Sequence, residues 1–98
     1  MDLAVILTPQ AQEDFLQIVA WIAHDAPLNA ARFDDRLENA ILSLKKYPDR
    51  CPLAPENEDS IETIRHLIVG TYRIIFWHTD QSVYILHIRH AAREPFHP

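Results

Sequence analysis

Three side chains in the second half of this sequence could together hold an anion: His66, Arg73 and His90. They lie on three successive segments rich in β-branched and aromatic residues, joined by short turns at residues 70–71 and 79–82. If both turns close with an even number of loop residues, the three side chains share one face of a sheet. An arginine fork suits a phosphate, and histidine titrates near neutral pH. The pattern indicates an anion site on that face.

Other chemistry has weaker support in the sequence. No two of the six histidines have the i, i+4 spacing of a helical metal site, and His87 and His90 would point to opposite faces of a regular strand, so we expect no metal. The single cysteine, Cys51, follows Arg50 and precedes Pro52, which is typical of a solvated or half-buried loop thiol. A single glycine cannot build a glycine-rich phosphate loop, and no cofactor is expected.

Length and composition indicate a single globular domain over residues 1–98. Hydrophobic residues make up 48% of the chain and charged residues 23%, which excludes disorder as the main state. The longest early apolar run, residues 3–7, is far short of the ~20 residues of a membrane span. With one cysteine and no basic leader, the expectation is a cytoplasmic protein without membrane contact.

The charge is unevenly distributed along the chain, although its net value is −5. Residues 1–62 carry twelve acidic and five basic side chains, whereas residues 63–98 carry four arginines and two acidic side chains. Five of the six histidines also lie in the second half. The acidic balance argues against broad nonspecific nucleic-acid binding, and the two halves should contact different kinds of surface.

Periodicity predicts an α+β fold with six elements. A short strand at residues 3–7 precedes two amphipathic helices, at about 9–24 and 28–47, which form an antiparallel helical hairpin. Lys45 and Lys46 would lie in the last turn of the second helix, where they suit its dipole. Three strands at about 64–69, 72–78 and 83–90 follow as an antiparallel meander, with the helices packed on one face. Both faces of this meander are apolar, so the sequence leaves open which one the helices cover and where the first strand pairs.

In this order, four short stretches resemble the RelE/ParE superfamily of toxins from type II toxin–antitoxin systems. They are LTPQAQEDF at 7–15, LKKYP at 44–48, IRHL…GTYRIIF at 64–76, and VYILHIRHAAR at 83–93. The resemblance covers nearly the whole chain. It implies a toxin that inhibits growth, of the kind that stabilises plasmids, and that a cognate antitoxin neutralises in a hetero-oligomer.

The superfamily contains two functional classes, and the resemblance leaves open whether this chain is an enzyme. RelE-like members cut mRNA on the ribosome without a metal, whereas ParE-like members inhibit DNA gyrase and lack the ribonuclease residues. Arg73 matches an arginine of the RelE-like central strand, and His66 lies near the position of a RelE-like lysine. His90 and Arg93 lie in the last-strand region, where such enzymes place a further arginine or histidine.

Three differences from the RelE-like pattern favour the ParE-like class. Lysines are few, the net charge is acidic, and Phe96 and His97 are the nearest residues to the expected C-terminal tyrosine. We therefore predict a gyrase inhibitor, with a RelE-like ribonuclease or a non-toxic member that only binds antitoxin as alternatives. The predicted catalytic residues of the ribonuclease alternative are Arg73, His90 and His66. The predicted binding residues are Arg65, Tyr72, Arg89 and Arg93.

Overall fold

The computed structural model describes residues 2–92 and has the predicted α+β fold. The elements are β1 (Ala4–Leu7), α1 (Pro9–Asp25), α2 (Pro27–Ser43), β2 (Arg65–Val69), β3 (Tyr72–His78) and β4 (Ser82–His90). Two short 3-10 helices, Pro48–Arg50 and Pro55–Asp59, lie in the segment between α2 and β2. No helix in this part of the chain has the length and apolar character that crossing a bilayer requires.

Local sequence signals account for the start of α1 and the end of α2. The Thr8 side chain accepts a hydrogen bond from the Ala11 N–H at 3.3 Å, and Pro9 fills the first helical position. At the other end, Pro48 disfavours helical backbone at Tyr47, which is left-handed with φ 49°. The last turn tightens to 3-10 bonding, so α2 ends at Ser43. Lys45 and Lys46 lie beyond the helix, and their predicted place in its last turn is wrong.

The sheet is four-stranded and mixed, in the order β1-β4-β3-β2. β1 pairs in parallel with β4, which answers the question that the sequence left open. Both meander turns close as predicted, with Val69 opposite Tyr72 and His78 opposite Val83. Gly70 adopts φ 60° in the first turn, a conformation that glycine tolerates best.

A β-bulge in β4 changes which side chains share a face. Phe76 lies opposite Ile85 but Ile75 lies opposite His87, so Leu86 is the extra residue. The bulge lets Ile85 and Ile88 both enter the main core although they are three positions apart, a spacing that puts residues of a regular strand on opposite faces. Leu86 instead packs in a small second cluster with Ala54, Ile64 and Ile75.

The main core lies between the two helices and one face of the sheet. Its fully or nearly buried members are Ala11, Leu37, Ile41, Leu44, Cys51, Val69, Ile74, Phe76, Val83, Ile85 and Ile88. The segment between α2 and β2 covers part of the opposite face, which we call the outer face, through the second cluster. Cys51 is therefore a buried core residue rather than a solvated or half-buried thiol, and burial raises its pKa although Arg50 and Arg65 oppose the shift.

Candidate functional site

A buried ion pair joins the second 3-10 helix to the middle of the sheet. Arg73 on β3 donates from Nη1 to Glu56 Oε1 at 2.9 Å and from Nη2 to Glu56 Oε2 at 2.7 Å. The two residues are 5% and 2% exposed. Such a two-pronged pair is among the stronger and more directional polar contacts in proteins. Both terminal nitrogens of Arg73, the predicted catalytic arginine, are therefore already bonded to a carboxylate.

His66 is bonded to the same arginine. Its Nδ1 lies 3.1 Å from Arg73 Nη1, and because a guanidinium can only donate, Nδ1 is the acceptor. Burial and the charge of Arg73 lower the pKa of His66, although Glu56 opposes the shift. The neutral ring then carries its proton on Nε2. In this arrangement Nε2 is a donor, and the ring cannot act as a general base without the loss of the Arg73 contact.

The outer face carries three further basic side chains near this ion pair. The register places His66 and His87 on either side of Ile75, and it places Arg89 directly opposite Arg73. We call these four residues, His66, Arg73, His87 and Arg89, the basic cluster. Burial lowers the pKa of His87 as well, with Asp14 opposing and Arg89 reinforcing the shift. The cluster is thus a group of two arginines and two largely neutral histidines around one buried carboxylate.

His90 does not belong to the basic cluster, and its predicted convergence with His66 and Arg73 is wrong. It lies opposite Tyr72, and the two rings meet edge to face at a centroid distance of 5.3 Å. Tyr72 in turn contacts Phe33 of α2 at 5.2 Å, so both residues are on the helical side of the sheet. The β4 bulge is the physical reason, because it exchanges the faces of the residues that follow it.

The four predicted binding residues do not form one surface in the structure. Arg65 lies at the start of β2, where Nη1 donates to the Cys51 carbonyl at 2.7 Å and Nε lies 3.5 Å from an Asp49 oxygen. Tyr72 is on the helical side and Arg89 is in the basic cluster. Arg93, like Phe96 and His97, lies outside the described residues.

Sequence reasoning missed three residues that shape the site: Glu56, His87 and Asp14. Glu56 lies in a loop, and no local signal pairs it with an arginine 17 positions away. His87 reaches the outer face only through the bulge. Asp14 on α1 accepts a hydrogen bond from the Ile88 N–H at 3.0 Å and lies 3.5 Å from His87 Nδ1. Asp14 belongs to the LTPQAQEDF stretch at 7–15, which was the one available sign of its importance.

A second polar contact fixes the first 3-10 helix to the end of β3. His78 Nε2 lies 2.6 Å from Asp49 Oδ1, and Nδ1 lies 2.8 Å from the Thr79 carbonyl. Both partners accept hydrogen bonds, so the ring is held as an imidazolium. Burial alone would lower the pKa of His78, but the bonds to Thr79 and Asp49 outweigh it and raise the pKa above 6.5. The same bond lowers the pKa of Asp49 below 3.8.

These shifts predict a pH-dependent contribution of His78 to stability. The stabilisation is complete below about pH 6.5 and is lost as the pH rises through the raised pKa of the folded state. The free energy of unfolding of wild type minus that of His78→Gln should therefore shrink between pH 6 and pH 9. Because Asp49 is exposed, the whole effect should stay below about 1 kcal/mol.

Urea unfolding of the two proteins across this pH range measures the difference. His66 and His87 have lowered pKa values and act in the opposite direction, but they are present in both proteins and cancel. Asp49 adds its own loss only as the pH falls below about 3.8, outside this window. A difference that stays constant from pH 6 to pH 9 would contradict the charged His78–Asp49 pair.

An apolar groove runs between α1 and α2 beside the end of β1. Its volume is about 390 Å³, and it is lined by Leu7, Gln12, Phe15, Leu16, Glu38, Ile41 and Leu42. Leu16 is 66% exposed and Leu42 is 55% exposed, so two large apolar side chains of this lining face solvent. An apolar surface of this kind is what the apolar stripe of a partner's helix binds.

No group of three or more histidine, cysteine, aspartate or glutamate side chains within residues 2–92 is placed to hold a metal ion. Asp35 and Glu38 on α2 are exposed, and a hydrogen bond with the half-buried Asp34 raises the pKa of Glu38. The chemistry available on the outer face is therefore that of the basic cluster and Glu56.

Comparison with known proteins connects this arrangement to a toxin family. Residues 5–95 match the family described as ParE toxin of type II toxin–antitoxin system, parDE. The chain is 39% identical over 90 residues to the protein named Toxin RelE2 from Caulobacter vibrioides, a match that covers 91% of this chain and 96% of that protein.

Two solved structures share the fold. A chain of the chromosomal ParDE toxin–antitoxin system from P. aeruginosa superposes with a TM-score of 0.74 at 14% identity, covering 90% of this chain and 95% of that one. A chain of the toxin–antitoxin complex RelBE2 from Mycobacterium tuberculosis superposes with a TM-score of 0.60 at 24% identity, covering 92% and 99%. At these identities the likeness concerns the fold.

Proposed function

Since the chain belongs to the RelE/ParE superfamily of toxins from type II toxin–antitoxin systems, we propose that it is a ParE-like toxin that inhibits DNA gyrase by contact. In this proposal it cuts no RNA, it acts in the cytoplasm where gyrase works, and a cognate antitoxin neutralises it. The evidence that favours this class within the superfamily comes from the outer face of the sheet.

The state of Arg73 carries the proposal. A metal-free ribonuclease needs a base for the 2′-hydroxyl, an acid for the leaving oxygen and positive charge on the phosphate in the transition state. Here both terminal nitrogens of Arg73 donate hydrogen bonds to Glu56, and His66 accepts a hydrogen bond from the same guanidinium. His90, the third predicted catalytic residue, is on the other face of the sheet. These side chains support a structural role better than an acid–base role.

The apolar groove between α1 and α2 supports a protein partner. Exposed Leu16 and Leu42 would be covered by an amphipathic helix with apolar residues at i, i+3 or i+4, and i+7. A disordered antitoxin segment that folds on binding could supply such a helix. The two solved neighbours come from toxin–antitoxin systems, which supports the same kind of partner for this chain.

A RelE-like ribonuclease is the second candidate. It is favoured by the name of the Caulobacter relative, Toxin RelE2, and by the presence of two histidines and two arginines on one face. Its acid–base residues would be His66 and His87 rather than His90. This candidate requires the Glu56–Arg73 pair to open when RNA binds.

We expect the purified, folded protein to inhibit DNA supercoiling by gyrase and to leave mRNA intact during translation in a reconstituted system. We expect His66→Gln and His87→Gln to retain gyrase inhibition within about twofold, because neither side chain moves a proton in this mechanism. A supercoiling assay and primer extension on a translated mRNA, run on the same preparations, measure the two activities.

His24→Gln, which changes an exposed histidine on α1, is the matched control for the two variants. Ribosome-dependent cleavage that falls by 100-fold or more in His87→Gln but not in His24→Gln would establish the ribonuclease candidate instead. A folded protein with no effect in either assay would contradict both candidates and leave the alternative of a non-toxic member that only binds antitoxin.

A further inference from the structure

We propose that the Glu56 carboxylate occupies an oxyanion-binding site formed by the basic cluster, so that the protein carries a phosphate-type site closed by its own side chain. The inference rests on the proposed function in one respect, since it treats Arg73 as closed to RNA. Removal of the Glu56 carboxylate should open the site to an external oxyanion such as phosphate.

The register of β3 and β4 puts two arginines at directly facing positions of the sheet. Arg73 and Arg89 are direct cross-strand partners, and like charges in such positions destabilise a sheet unless an anion lies between or beside them. Arg73 is 5% exposed, so water alone cannot solvate its charge. The sheet therefore requires an anion at this place.

Glu56 supplies that anion with the geometry of a bound ligand. Its two oxygens lie 2.9 and 2.7 Å from the two terminal nitrogens of Arg73, which is how a guanidinium holds a carboxylate or a phosphate. Burial lowers the pKa of both His66 and His87, and the negative charge of Glu56 opposes this shift in each case. The charge of Glu56 therefore acts on a histidine of β2 and on one of β4. One carboxylate thus interacts with basic groups from all three meander strands.

The carboxylate lies on a short turn whose backbone is held in place by hydrogen bonds that do not involve Glu56. Glu56 lies on the 3-10 helix Pro55–Asp59, and Asn57 of the same turn accepts a hydrogen bond from the Ile64 N–H at 2.8 Å. The neighbouring Glu58 is exposed. Truncation at Glu56 therefore removes the charge and leaves the backbone contacts of the turn, with a space about the size of the lost carboxylate beside Arg73.

The experiment compares the thermal stability of wild type, Glu56→Ala and Glu58→Ala in inorganic phosphate, in acetate and in chloride at equal ionic strength and pH. We expect 50 mM phosphate to raise the midpoint of Glu56→Ala by about 3–6 °C over chloride, because an anion that binds only the folded state stabilises it. Wild type and Glu58→Ala should show only the small general stabilisation that phosphate gives to folded proteins, and the effect of the site is the excess of Glu56→Ala over these two. Acetate reports whether a carboxylate alone suffices or a tetrahedral oxyanion is needed.

Two further variants keep the test decisive. Glu56→Ala with Arg73→Met removes the fork and should abolish the phosphate effect. Glu56→Gln keeps the shape of the side chain, and it should show less than half of the effect because the amide still fills the site. If Glu56→Ala folds only when phosphate is present, the proposal is supported. Equal midpoints in phosphate and chloride, or failure to fold in both, overturn it.

The outcome can be separated from that of the proposed function. Gyrase inhibition by wild type tests the proposed function and needs no phosphate titration. If phosphate stabilises Glu56→Ala but wild type does not inhibit gyrase, the oxyanion site is supported and the proposed function is contradicted. If wild type inhibits gyrase but phosphate does not stabilise Glu56→Ala, the proposed function is supported and the oxyanion site is contradicted.

Discussion

Arg73→Met should destabilise the protein by about 3–5 kcal/mol, because it leaves the Glu56 carboxylate buried without its partner. A single domain of this size has a total stability of about 5–15 kcal/mol, so the loss is about a fifth of it or more. Urea unfolding monitored by circular dichroism gives the value. Arg32→Met, at an exposed position on α2, is the matched control and should change stability by less than about 0.5 kcal/mol.

Removing both charges should restore most of the lost stability. Glu56→Leu combined with Arg73→Met replaces the ion pair by apolar side chains of similar volume, a change that is often neutral or stabilising in buried sites. The coupling energy between the two positions should therefore be at least about 2 kcal/mol. Additive losses, with the double variant less stable than either single one, would show that the pair is not the structural unit described here.

This expectation changes how a loss of toxicity at Arg73 should be interpreted. In a RelE-like enzyme, a variant at this arginine would lose cleavage while it stays folded. In this protein, Arg73→Met would weaken the fold, so every activity, including antitoxin binding, would fall only as far as the folded fraction falls. The double variant separates the two cases, since it restores the fold without restoring the guanidinium. A folded double variant that still inhibits gyrase would identify the arginine as structural.

Local patterns in the sequence were sufficient for the order of the elements and for both meander turns. β3 begins and ends as predicted, at Tyr72 and His78, because an apolar run bounded by turn residues on both sides defines it. Gly70 marks the first turn because glycine tolerates the positive φ of 60° that this turn adopts. The end of α2 is set by Pro48 acting on Tyr47, and it lies four residues before the predicted one.

The remaining features depend on contacts between distant parts of the chain. The parallel pairing of β1 with β4 has no local signal, since β1 is a lone apolar strand with several possible neighbours. Glu56 meets Arg73 only after the loop folds over the outer face. The bulge at Leu86 could not be predicted from a strand that is apolar on both faces. Because of this one extra residue, His90 lies on the opposite face from the candidate site, and His87 and Arg89 lie on the same face as Arg73.

The bulge itself makes a sharp prediction about β4. In a regular strand Leu86 and Ile88 would share a face, and lysine at either position would have a similar effect. In the structure Ile88 is 3% exposed in the main core, whereas Leu86 is half-buried on the outer face. Ile88→Lys should therefore cost more than about 4 kcal/mol, because it removes apolar burial and places a charge in the core.

Leu86→Lys is the matched variant, with the same new side chain two positions away. Its aliphatic stem can lie along the outer face while the ammonium reaches water, so we expect a loss of about 1–2 kcal/mol. Thermal and urea unfolding of both variants give the comparison. Similar losses at the two positions would contradict the bulge, and with it the placement of His87 and Arg89 beside Arg73. Because the basic cluster exists only if the faces exchange at Leu86, this pair of substitutions tests the geometry on which the closed oxyanion site depends.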